Sequence, residues 1–114
     1  MHLAIPRSII ATYRLSDWLV PVGLIALAAI PVVAGSVRLA MLGSGAPVTP
    51  DNARFIADPL PVVLHIVSVT IYCVIGAFQF SPGLRRSHPG WHRRAGRVLV
   101  PVGLVAAVTG LWMA

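Results

Sequence analysis

Three long stretches of this chain carry no charged residue, and that pattern limits its fold more than any other feature. The first is twenty residues, Trp18 to Val37, between Asp17 and Arg38. The second is twenty-six residues, Pro59 to Leu84, between Asp58 and Arg85. The third is seventeen residues, from Val98 to the terminal Ala114. A helix rises about 1.5 Å per residue, so about 20 residues cross about 30 Å of hydrocarbon. The first two stretches meet that requirement. The third reaches only about 26 Å and stops without a polar flank, so the sequence reads as a fragment of a longer protein.

Composition agrees. Hydrophobic residues make up 57% and charged residues 11%, with a mean hydropathy of +0.84, whereas about a quarter of a soluble domain is charged. A water-soluble domain, a disordered tail and a nucleic-acid module are all poor fits. The expectation is one membrane domain over residues 1–114. A cleaved signal peptide has an apolar core of about 7–15 residues. Twenty is too long, and the first stretch is read as an uncleaved helix.

All nine basic residues are Arg, set against three Asp and no Glu, for a net charge of +6. They fall at the edges of the apolar runs, where Arg meets lipid phosphate and fixes orientation. Membrane lipids are the expected partners, and nucleic acid is not. Arg7 and Arg14 precede the first helix, and Arg38 and Arg54 are balanced by Asp51 and Asp58 in the first loop. Arg85, Arg86, Arg93, Arg94 and Arg97 crowd the second loop without an acid. The positive-inside rule then puts the N-terminus and the second loop in the cytoplasm, with the C-terminus outside.

The expected architecture is an all-α integral membrane bundle with helices near 17–42, 59–81 and 96–114. The outer loop at 43–58 has Thr49 as an N-cap, Pro50 at the first helical position and a short interfacial helix carrying Phe55 and Ile56. The inner loop at 82–95 carries turn signals at Ser81-Pro82-Gly83 and His88-Pro89-Gly90. Trp91 is set at headgroup depth. Pro31, well inside the first helix, is expected to kink it. The hexapeptide Leu19–Leu24 recurs as Leu99–Leu104, opening the first and third helices alike.

The second helix carries the most information. With about 100° per residue, His65, Ser68, Tyr72, Gly76 and Gln79 share a stripe about 80° wide. Polar side chains facing lipid would leave hydrogen-bonding groups unpaired at several kcal/mol, so the stripe should face other helices or a cavity. Interhelical hydrogen bonding is the first reading, and a ligand site or proton path is the alternative. On the third helix Gly103, Ala106, Ala107, Gly110 and Ala114 form a small-residue face that permits close approach, by the second helix or by another copy.

His65 is the one ionisable residue inside a predicted span, which makes it a functional candidate. Its structural reading is a hydrogen bond to Arg38 or to a loop carbonyl. His92 is the other candidate, and b-type haem held by axial imidazoles is the cofactor to consider. One haem cannot use both, because His65 lies near the outer end of one helix and His92 near the inner start of the next. Cys73, the single cysteine, has no disulfide partner, and no Cys pair with metal spacing exists. Paired carboxylates, a phosphate-binding Gly loop, a metalloprotease motif and a nucleophile elbow are all absent from the sequence. No catalytic residue, metal or obligatory cofactor is therefore expected.

The run Asp58–His65, then Gly76-Ala77-Phe78-Gln79-Phe80-Ser81-Pro82, then Trp91-His92-Arg93-Arg94-Ala95-Gly96-Arg97, and finally Gly110-Leu111-Trp112 resembles a bacterial family of membrane proteins known as domain of unknown function 2306. The resemblance covers about residues 54–114. It implies a multi-pass helical protein of the bacterial inner membrane, with His65, Gln79, His92, Arg93, Gly96 and Arg97 at signature positions. It implies no reaction. Members continue past the Gly-Leu-Trp segment into further helices. The function expected is a non-enzymatic packing component, self-associating or part of a larger membrane complex. The alternatives are haem- or quinone-linked electron transfer using His65 and His92, and a small-molecule or proton path along the polar stripe.

Overall fold

A computed structural model describes residues 15–114, and the expectations resting on Arg7 and Arg14 lie outside them. Five helices follow one another, with no strand among the described residues: α1 Leu15–Gly43, α2 Ala53–Ala57, α3 Pro59–Gln79, α4 Pro82–Ser87 and α5 Pro89–Met113. Of these, α1, α3 and α5 are long and apolar enough to cross a membrane. Their 29, 21 and 25 residues correspond to about 44, 32 and 38 Å, against about 30 Å of hydrocarbon.

The third span is longer than its apolar run because α5 begins at Pro89, not near residue 96. Pro lacks only an N–H that would be unpaired at a helix start, so Pro89 opens the helix where the sequence suggests a turn. The extra turns carry Trp91, Arg93, Arg94 and Arg97, all exposed. Pro82 acts likewise in α4, where Ser81 caps the helix by accepting from the Leu84 N–H at 3.2 Å. The inner loop expected at 82–95 is thus two helices joined at His88.

α1 runs unbroken through Pro21 and Pro31. It ends where Gly45 takes φ +68°, with the Ala46 N–H bonded to the Met41 carbonyl at 3.3 Å. That pairing is the six-to-one bond of a Schellman closure, which favours glycine at the left-handed position. In the following loop Thr49 is not the N-cap. Asn52 occupies that position, its Oδ1 accepting from the Thr49 N–H at 2.7 Å while its Nδ2 donates to the Pro47 carbonyl at 3.0 Å. The buried Asn52 amide holds the loop from within, and a Thr hydroxyl cannot make both bonds.

α3 is the central helix, packed most extensively on α5 and next on α1. Gly35 admits the Ile66 side chain so closely that a Cβ there would lie 2.8 Å from Ile66 Cγ2. At the end where α1 begins, Trp18 meets Phe78 edge to face at 6.4 Å, and Asp17 meets Arg86 at 3.5 Å. Among the described residues few side chains are buried (Val62, Ala77, Ala95 and Leu99 among the apolar ones), while Leu19, Leu27, Ile30, Leu104 and Leu111 stand exposed. Such an inversion of the soluble pattern is stable only where the surroundings are apolar.

Candidate functional site

The polar stripe of α3 and the small-residue face of α5 meet in a fixed register. His65, Tyr72 and Gln79 follow one another at intervals of seven, and each lies against a glycine of α5. A Cβ on Gly110 would stand 3.2 Å from His65 Cε1, one on Gly103 would stand 2.8 Å from Tyr72 Cε2, and one on Gly96 would stand 3.8 Å from Gln79 Oε1. The glycines too are seven apart and run the opposite way, as antiparallel helices require. A seven-residue repeat keeps one seam facing its partner along two left-handed supercoiling helices. Glycine in that seam lets side chains larger than the usual apolar knob fit between close backbones.

At one end the seam is chemically closed. His65 Nδ1 lies 2.8 Å from the Ala106 carbonyl and 3.2 Å from Thr109 Oγ1. An N–H on Nδ1 donates to that carbonyl, while the Thr109 hydroxyl donates back to the Val105 carbonyl at 2.6 Å. His65 therefore bonds to α5, not to Arg38 or a loop carbonyl. Thr109 was missed by sequence reasoning, although it is buried. Its signal was available, since it lies only about 60° round α5 from Ala106. Ala107, expected on the packing face, is exposed. It is turned about 100° from Ala106, which carries it off the seam. Ser68 is buried beside the seam.

The other end is open. Tyr72 is 48% exposed, and its hydroxyl has no hydrogen-bond partner among the described residues. Gln79 Nε2 and His92 Nδ1 are buried with no hydrogen-bond partner among the described residues. His92 and Gly96 occupy successive turns of one α5 face, so Gln79 and His92 come to the same end of the seam. A cleft of about 390 Å³ opens here, lined by Leu24 and Ala28 of α1, Tyr72, Cys73 and Gln79 of α3, and Leu99 of α5.

Ala106, which His65 meets, is fourteen residues from His92, or about 21 Å along α5. The two histidines thus sit at opposite ends of the seam, and one haem iron cannot take both. Among the described residues no three His, Cys, Asp or Glu side chains cluster as metal ligands would.

The five clustered arginines, Arg85, Arg86, Arg93, Arg94 and Arg97, are all exposed. Arg86 is partly committed, its Nη2 lying 3.5 Å from Oδ1 of the buried Asp17. That contact ties α4 to the first turn of α1.

No curated protein and no solved structure matches this chain. Residues 62–114, which hold most of α3 and all of α4 and α5, match the family model described as "Predicted membrane protein (DUF2306)". With three helices suited to crossing a bilayer, the chain is a multi-pass membrane protein whose His65–Gln79 helix and its glycine-bearing partner resemble that family.

Proposed function

We propose that this protein is a non-enzymatic packing component of a bacterial cytoplasmic membrane, completed by further transmembrane helices seated in the cleft over α3. Its Arg85–Arg97 face is turned to the cytoplasm and its C-terminus outward. The supporting observation is the half-exposed Tyr72, placed about 20 Å along α3 from Pro59, together with Gln79 Nε2, buried with no partner among the described residues. Polar groups at that depth need partners that lipid tails do not offer. Helices contributing a carbonyl or hydroxyl would satisfy them. The His65 end supports a structural role for the seam, because His65 Nδ1 bonds to the Ala106 carbonyl of α5.

A second reading is favoured by the cleft's volume, about 390 Å³, which falls within the range of small-molecule sites. The occupant would then be a lipid-soluble molecule with a hydrogen-bond-accepting head.

Cys73 lines the cleft and is the only cysteine, so it reports on both readings. In native membranes the packing reading predicts that Cys73 resists a lipid-permeable maleimide and that a bifunctional thiol–amine reagent joins it to a second polypeptide. Protection without a cross-linked partner, lost on lipid extraction, supports the second reading. Labelling as fast in membranes as in detergent-dispersed protein, with no cross-linked product, overturns both.

A further inference from the structure

The face of α5 turned away from the seam is banded along its length. At about 100° per residue, Arg93, Arg94 and Arg97 lie within about 100° of one another on this single helix. Val98, Val105, Val108 and Trp112 continue the same face, all within about 140°. Every one of these side chains is exposed. Gly96, Gly103 and Gly110, which meet α3, lie on the opposite side, about 150° round the helix. From Arg94 to Trp112 is eighteen residues, or about 27 Å, close to the 30 Å or so of a hydrocarbon core. Guanidinia, aliphatic side chains and an indole thus follow one another as headgroups, acyl chains and headgroups do in a bilayer.

The arginine band has no answering charge within the chain. Residues 59–114 contain no Asp or Glu, and the buried Asp17 meets Arg86 of α4 instead. Arg93 and Arg97 are four residues apart and Arg94 and Arg97 three, spacings at which like charges on a helix repel. External anions offset that repulsion. Arginine pairs well with phosphate oxygens, and long cationic side chains at a helix end reach from the apolar surface to the headgroups. Trp91, three residues before Arg94 and also exposed, stands beside the band. Because the cations run without a break into an apolar face of hydrocarbon length, the geometry suits a lipid better than a soluble polyanion.

We propose that this face of α5 is a lipid contact, and that Arg93, Arg94 and Arg97 gather anionic phospholipid headgroups around it. The contact is a surface, with each guanidinium free to meet its own phosphate. It is separate from the cleft over α3, and it holds whichever leaflet the arginines meet.

The test uses the whole chain in phosphatidylcholine vesicles containing phosphatidylglycerol, with either lipid spin-labelled near the headgroup end of its acyl chain. Trp18→Phe, which keeps a ring against Phe78, and Trp112→Phe leave Trp91 as the only tryptophan. Labelled phosphatidylglycerol should quench Trp91 more strongly than the same fraction of labelled phosphatidylcholine. R93Q, R94Q and R97Q should each lower this relative affinity by up to about fivefold, the effect of one cation near an anionic surface. R94K and R97K keep the charge and should keep most of the preference. R38Q, at the other end of the bundle, should change nothing. Salt at about 1 M, which shortens the Debye length to about 3 Å, should weaken the preference. Circular dichroism of each variant checks that helicity is kept. Equal quenching by the two lipids, or a preference unchanged in the triple Arg→Gln variant, overturns the proposal. So does weak quenching by both, which would show that protein, not lipid, covers this face.

Discussion

Tyr72 lies against Gly103 so closely that a single methyl group on the glycine would stand 2.8 Å from the ring carbon Cε2. Non-bonded carbon atoms sit comfortably only at about 3.5–4.0 Å, so any side chain at this position must push the Tyr72 ring aside. The same contact is graded along the seam, at 3.2 Å for Gly110 and 3.8 Å for Gly96.

The gradation predicts a ranked series. Gly103→Ala should destabilise the α3–α5 pair by about 1–3 kcal/mol, the usual cost of overpacking. Gly110→Ala should cost less, because the imidazole must give by only a few tenths of an ångström. Gly96→Ala should be neutral or slightly stabilising, since alanine is the better helix former. Unfolding of each variant in bicelles by added SDS checks the order, and a Gly96→Ala change as harmful as Gly103→Ala contradicts it.

His65→Leu should cost about 0.6–2 kcal/mol, the worth of a polar contact between membrane helices. It removes the bond to the Ala106 carbonyl at 2.8 Å without freeing a charge. Thr109→Val should cost less than His65→Leu, because the Thr109 hydroxyl already bonds back within its own helix at 2.6 Å. The same unfolding assay ranks the two, and a larger loss in Thr109→Val shows that the hydroxyl, not the carbonyl, anchors the ring.

Much of this was legible from residue order alone. The charge-free runs gave three spans because hydrocarbon thickness is a length that sequence can be counted against. The stripe on α3 and the small-residue face on α5 followed from turning each helix by about 100° per residue. Their joint register was not legible, since it depends on which turn of α3 sits opposite which turn of α5. The seven-residue spacing of His65, Tyr72 and Gln79 against Gly110, Gly103 and Gly96 becomes visible once the helices are paired. Pro82 and Pro89 misled because proline marks both turns and helix starts, and only the backbone distinguishes them. Asn52 was overlooked because its bonds, to Thr49 and Pro47, depend on how the loop folds back.

The arginine distribution predicts sidedness. With Cys73 replaced by Ser, a cysteine at Arg94 should react with a membrane-impermeant maleimide only after the cytoplasmic face is opened. A cysteine at Asp51 should react in intact cells. The reverse pattern would show that the five clustered arginines do not set the orientation.

The register of α3 on α5 is the centre of this account, and cysteine cross-linking in lipid measures it most directly. In the Cys73→Ser background, the pairs His65→Cys with Gly110→Cys, Tyr72→Cys with Gly103→Cys, and Gln79→Cys with Gly96→Cys should all be joined within one chain by a short bifunctional thiol reagent. Tyr72→Cys with Gly110→Cys, displaced by about 10 Å, should not be joined, nor should Ile71→Cys with Gly103→Cys, which places one thiol on the wrong face. Efficient linkage of either displaced pair, with failure of the three matched ones, would contradict the packing described here.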